Sequence, residues 1–152
     1  MDNQTLCATV LLAFGVACSA PAFSQTRPDV LVKQRQAAMV LQGKYFGPLN
    51  LIAQGKIPYD QKAVIRNAGY LDVLSRLAWD GFAPSTKGEK SASLPAVFSD
   101  SAKFNQIADQ FQAEASKLVQ VSKGSDEAAV KSQIQAVGKT CAACHEDFRE
   151  KR

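Results

Sequence analysis

Four stretches of this chain repeat apolar residues at three- and four-residue intervals, separated by clusters of Gly, Pro and Ser, and none alternates with period two for long enough to suggest a sheet. The first opens at Arg27-Pro28-Asp29, with proline and an acid in its initial turn, and ends at Gly55 and Pro58; Pro48 is expected to bend it. Its inner stripe reads Val32, Gln36, Met39, Gly43 and Phe46. The second follows Asp60 as N-cap and places Val64, Ala68, Leu71 and Ala78 on one face and Tyr70, Leu74 and Leu77 on another, which implies two packing partners. A polar, small-residue-rich segment from Trp79 to Pro95 reads as a crossover loop. Ser99 or Asp100 then caps a third helix with Phe104, Ile107, Phe111, Ala115 and Leu118 on its stripe, stopping near Gly124. Ser125 is expected to cap the fourth, whose positive first turn holds Asp126 and Glu127 and whose stripe is Val130, Ile134, Val137, Cys141, His145 and Phe148. Short connections force neighbouring helices side by side, so the pattern predicts an all-α, antiparallel four-helix bundle.

Residues 1–24 read differently. Leu6 to Ala20 is apolar and uncharged, and Ala22-Phe23-Ser24 offers small residues where signal peptidase cuts. The expected division is a secretory signal peptide over 1–24 and one domain over 25–152. Against this, the leader carries Asp2 and no basic residue. The competing readings are a membrane anchor, for which the run is short of about 20 residues, and a lipoprotein signal at Cys18, for which Gly15-Val16-Ala17 is a poor match.

Removal of the leader takes Cys7 and Cys18, leaving Cys141 and Cys144 of the original four cysteines. A single closely spaced pair is no disulfide framework. The leader removes only Asp2, so 18 basic and 13 acidic residues give the remainder a formal charge of +5, spread along the chain. Basic residues cluster only at the last few positions, so nothing reads as a nucleic-acid footprint.

Chemistry concentrates in Cys141-Ala-Ala-Cys144-His145. Cys-x-x-Cys-His is the attachment motif for haem c: two thiols join the porphyrin edge and the adjacent imidazole meets the iron. On a helix Cys141 and His145 lie one turn apart on one face. A thioredoxin-like dithiol would sit in a strand-to-helix turn of an α/β fold, and a structural zinc needs four ligands where this chain offers two Cys and one His after leader removal. His145 is the only histidine, which excludes a bis-histidine haem. Met39 is the only methionine remaining after leader removal. Either Met39 is the sixth iron ligand or no strong ligand comes from the protein; its alternative role is to fill core space.

The motif, together with "KQRQAAM", "GKIPYD", "LAWDGFAPSTKG", "FSDSAKFNQIADQF" and "CAACHEDFREKR", resembles the class II cytochromes c, and within them cytochrome c′, over nearly all of the chain beyond the leader. That family is itself a standing example of four-helix bundles, so its agreement with the bundle prediction is not independent. The resemblance implies Cys141 and Cys144 as thioether attachments and His145 as proximal ligand. It implies Arg149 and Phe148 beside that ligand, Arg35 near the haem propionates, and Met39 at the distal position with Gln36 alongside. Trp79, Phe82, Phe104 and Phe111 correspond to pocket aromatics, and Phe98 stands where the family usually has tryptophan.

By the same resemblance the chain is expected to be a periplasmic homodimer with one covalent haem c, binding NO or CO at its distal face, or carrying single electrons to a small redox partner protein, or both, and catalysing no reaction of its own. The alternative within the class is a low-spin electron carrier ligated by Met39 and His145; a haem-free dithiol oxidoreductase stands outside it. No membrane association is expected after leader removal. The second apolar face of the second helix, with the first helix, is the expected dimer surface.

Overall fold

The computed structural model describes residues 26–151. The leader assignment falls outside these residues. Four long helices form the body: α1 (Pro28–Ala53), α2 (Gln61–Leu74), α4 (Ser101–Val121) and α5 (Glu127–Phe148), with a single-turn α3 (Ala96–Ser99) ahead of α4. Each long helix packs on two others in the ring α1, α2, α4, α5, which closes where α5 returns to α1. The bundle prediction therefore holds, with α3 as an addition. Asp100, with φ −122° and ψ 51°, breaks the helix between α3 and α4.

The helix ends follow local chemistry. α1 starts with Pro28, and its exposed Asp29 pairs with Arg27 at 3.3 Å and Lys33 at 3.2 Å. It continues through Pro48 and stops at Gly55, whose φ of +69° suits a residue without a Cβ. There the Gly55 and Lys56 N–H groups donate to the Ile52 and Leu51 carbonyls. Asp60 caps α2 as expected, accepting from the Ala63 N–H at 3.1 Å. The α5 cap is Asp126 and not Ser125: its carboxylate reaches the Ala129 N–H at 3.0 Å. Asp100, not Ser99, is the α4 cap residue, and it contributes its backbone carbonyl to the Phe104 N–H without a side-chain bond.

Leu49, Ile52, Val64, Ala68, Leu71, Phe111, Ala115, Leu118, Val130, Ile134 and Val137 make one continuous core across all four long helices. Each large aliphatic side chain buried there contributes about 1.5–3 kcal/mol. α2 ends at Leu74, so Leu77 and Ala78 fall in the turn after it; the expected inner face is buried and Leu74 joins the core, whereas Tyr70 and Leu77 are exposed. On α1 the buried residues are Val32, Arg35, Ala38, Gln42, Leu49 and Ile52. Of the expected inner stripe, Val32 is in the core, and Gln36, Met39, Gly43 and Phe46 line a cavity that Arg35 and Gln42 also reach. The unexpected feature is that the buried stripe carries an arginine and a glutamine, both hydrogen-bonded to acceptors on other segments.

A candidate haem site between the first and last helices

The cavity lies beside α1 and α5, bounded by α4 and by the crossover, and has a volume of about 640 Å³. That is within the range of about 300–1,000 Å³ typical of small-molecule and cofactor sites. It brings together every residue the sequence singled out for cofactor binding: Arg35, Gln36 and Met39 from α1, Trp79, Phe82, Phe104 and Phe111, and Cys141, Cys144, His145, Phe148 and Arg149 at the chain's end. Phe98 does not line it and packs with Val97, Phe104 and Phe148 behind the wall. Gln42, Thr140 and the crossover residues Ser91, Ala92 and Ser93 line the cavity without having been anticipated. Gln42, three residues after Met39, and Thr140, beside Cys141, carried a positional hint; residues 91–93 carried none.

The aromatic wall is built as a unit. Trp79 stands edge-on to Phe104 and Phe111 at 5.9 and 6.5 Å and lies against Phe82 at 6.1 Å; Phe104 meets Phe148 edge-on at 5.3 Å. Such pairs favour these offset and perpendicular arrangements. The Trp79 indole N–H donates to the Ser75 carbonyl at 2.6 Å, which fixes the ring at the end of α2.

Arg35 is 3% exposed, and among the described residues no carboxylate forms an ion pair with it. Its Nη1 donates to the Gly81 carbonyl and its Nη2 to Ser91 Oγ at 2.7 Å, with the guanidinium 4.4 Å from the Phe82 ring centre. Burial lowers its pKa. A buried cation held by neutral acceptors at a cavity wall is unfavourable unless an anion reaches it. A porphyrin, with an apolar plane and two carboxylates, has the chemistry of such an occupant.

On α5 the Cys141 thiol is pushed up to about 11, first by burial and then by the neighbouring Cys144. Burial and the Asp147 charge also raise Cys144, while Arg149 opposes them. His145 is shifted down by burial and by the Arg149 cation, which favours the neutral imidazole that a metal takes. Thiols held protonated near a helix C-terminus are the reverse of an activated dithiol, whose reactivity depends on a lowered pKa. The pair is thus not tuned as an activated dithiol.

A four-helix bundle with an attachment motif on its last helix, facing an apolar cavity with one buried cation, defines the class of bundle-type haem proteins. Comparison with known proteins narrows it. The family model described as cytochrome c′ matches residues 30–149. Cytochrome c′ of Rubrivivax gelatinosus is 37% identical over 126 residues, covering 82% of this chain and 98% of that protein. Its crystal structure superimposes with a TM-score of 0.78 at 36% identity, covering 82% and 98% of the two chains. Cytochrome c-556 of Rhodopseudomonas palustris is 33% identical over 151 residues, 94% of this chain and 97% of that one. A nitric oxide complex of a cytochrome c′ variant from Alcaligenes xylosoxidans has a TM-score of 0.76 at 33% identity, covering 84% of this chain and 98% of that one. This chain belongs to the cytochrome c′ family, whose members carry covalently bound haem c.

Proposed function

We propose that this protein is an exported gas-binding cytochrome with its mature domain over residues 25–152, holding one haem c through Cys141 and Cys144 and using His145 as proximal iron ligand. The observation that carries the reading is the single cavity that has Cys141, Cys144 and His145 on one wall, and Met39 on α1. A haem held there would supply a redox-active iron.

This chain's residues would set what that iron does. His145 would hold the iron, and Arg149, close enough to depress the His145 pKa, adds positive charge beside it. Met39, half-buried on the cavity wall, would either bind the iron or leave room for a small ligand. Left unbound, its thioether and the aromatic ring cluster make a small apolar space that admits NO or CO and disfavours water and larger polar ligands. No second imidazole exists to act as a distal acid or base, so the site binds a diatomic gas or passes single electrons to a small partner protein and performs no group transfer. Arg35 would meet the porphyrin carboxylates, with Gln36 beside the distal residue. Phe148 and the other rings exclude solvent.

The alternative is a low-spin electron carrier, supported by Met39 lining the same cavity as His145, where its thioether could serve as second iron ligand. Absorption spectra of the ferric and ferrous protein separate the two. High-spin ferric and ferrous spectra, with NO bound in Met39→Ala and parent alike, support the gas-binding assignment. A methionine–iron charge-transfer band that disappears in Met39→Ala overturns it.

Export would place the protein in the periplasm, where bacterial haem attachment occurs. Among the described residues no helix is long and apolar enough to cross a membrane. Val40, Leu41, Tyr70, Val73 and Leu77 leave an exposed apolar face on α1, α2 and the turn after α2, and Tyr45 and Tyr70 contact across the two helices at 4.7 Å between ring centres. A twofold pairing of this face with itself would give a homodimer.

A further inference from the structure

Arg35 is held from two sides by the crossover: the Gly81 carbonyl accepts from Nη1 and Ser91 Oγ accepts from Nη2 at 2.7 Å. The Gly81 side is rigid, because that turn packs directly on the α1 backbone. The Ser91 side is fixed differently. Ser91 Oγ also accepts from the Ser93 N–H at 3.3 Å, and Ser93 pairs antiparallel with Arg149 in an isolated β-bridge. Its two main-chain bonds run from the Leu94 N–H to the Phe148 carbonyl and from the Glu150 N–H to the Ala92 carbonyl, both 2.9 Å. The hydroxyl that receives the α1 guanidinium is therefore anchored to the end of α5, the helix that bears His145.

We infer that Ser91 is a positioning residue, which acts through Arg35 to set where the guanidinium meets the anionic edge of the bound porphyrin. This rests on the haem assignment above. The physical basis is the steep distance dependence of charge interactions where water is excluded. A guanidinium that loses one of two fixed acceptors pivots about the other, and its charge shifts relative to the porphyrin. Nothing else in the site reproduces the bond: the remaining acceptor is the Gly81 carbonyl, and Phe82 contributes only a ring face. A cation near the porphyrin favours the reduced iron, so displacing it lowers the midpoint potential.

The test is a double-mutant cycle on the haem-loaded protein, with covalent haem content and midpoint potential measured for the parent, Ser91→Ala, Arg35→Gln, the double variant and Ser91→Thr. Arg35→Gln is expected to lower the potential, and Ser91→Ala to lower it by less. Ser91→Thr, which keeps the hydroxyl, should restore the parent value. The double variant should match Arg35→Gln. Equal Ser91→Ala shifts in both backgrounds overturn the inference, as does an unshifted Ser91→Ala when Arg35→Gln shifts. Loss of haem from Ser91→Ala while Arg35→Gln stays loaded also overturns it, since Ser91 would then act on something other than Arg35. If Arg35→Gln alone leaves the potential unchanged, the assignment of Arg35 to the porphyrin carboxylates fails as well.

Discussion

Gly81→Ala should be among the most damaging one-methyl changes available to this chain. A Cβ at Gly81 would be in hard contact with Arg35 Cβ, 2.7 Å from the Leu31 carbonyl oxygen and 3.0 Å from Arg35 Cδ. The first two obstacles belong to the body of α1 and cannot rotate away, so the Trp79–Phe82 turn must lift off the helix. Overpacking of this kind costs about 1–3 kcal/mol. Lifting also stretches the buried bond from Arg35 Nη1 to the Gly81 carbonyl, and a hydrogen bond from a charged group contributes about 1.5–3 kcal/mol when intact. With that bond weakened and not abolished, the sum is about 3 kcal/mol, or a fall in Tm of about 10 °C for a domain of this size. Thermal unfolding of the haem-loaded protein, followed by far-ultraviolet circular dichroism and by the haem absorption, measures it. Gly88→Ala is the control, because a Cβ there meets nothing within 4 Å. If the two variants melt within about 2 °C of each other, the close approach of the turn to α1 is not what keeps residue 81 a glycine.

Arg149→Ala should leave haem attached and lower the midpoint potential, since it removes a positive charge next to His145; unchanged potential and NO kinetics would reduce Arg149 to a solvated charge. Asp126→Ala removes the acceptor for the Ala129 N–H and should destabilise the protein by about 1 kcal/mol in denaturant titration, with Asp60→Ala losing a similar amount at α2. Val73→Glu combined with Leu77→Glu places charge on the exposed face of α2 and the turn after it. It should halve the mass seen by sedimentation velocity while leaving the haem spectrum unchanged.

The helices were legible because each carries an apolar period bounded by residues with strong terminal preferences, Pro28, Asp60 and Gly55 among them. The candidate site was legible because its residues are compact in sequence: two cysteines and a histidine within five residues, with Met39 lining the same cavity. Two things were not. The burial of Arg35 and Gln42 on α1 was hidden because it depends on distant acceptors, Gly81, Ser91 and Leu74, that a local period cannot reveal. The course of residues 91–93 along the cavity was invisible because it is fixed by pairing with a segment more than fifty residues away.

That pairing has a consequence for the sequence. Its donors and acceptors at Ala92, Leu94, Phe148 and Glu150 all belong to the main chain, so they are indifferent to side-chain identity. Side-chain changes at Ala92, Ser93 or Glu150 leave these bonds in place, whereas proline at 94 or 150 removes a donor. Part of the framework around the site is thus written in the spacing of the chain and not in the side chains at those positions.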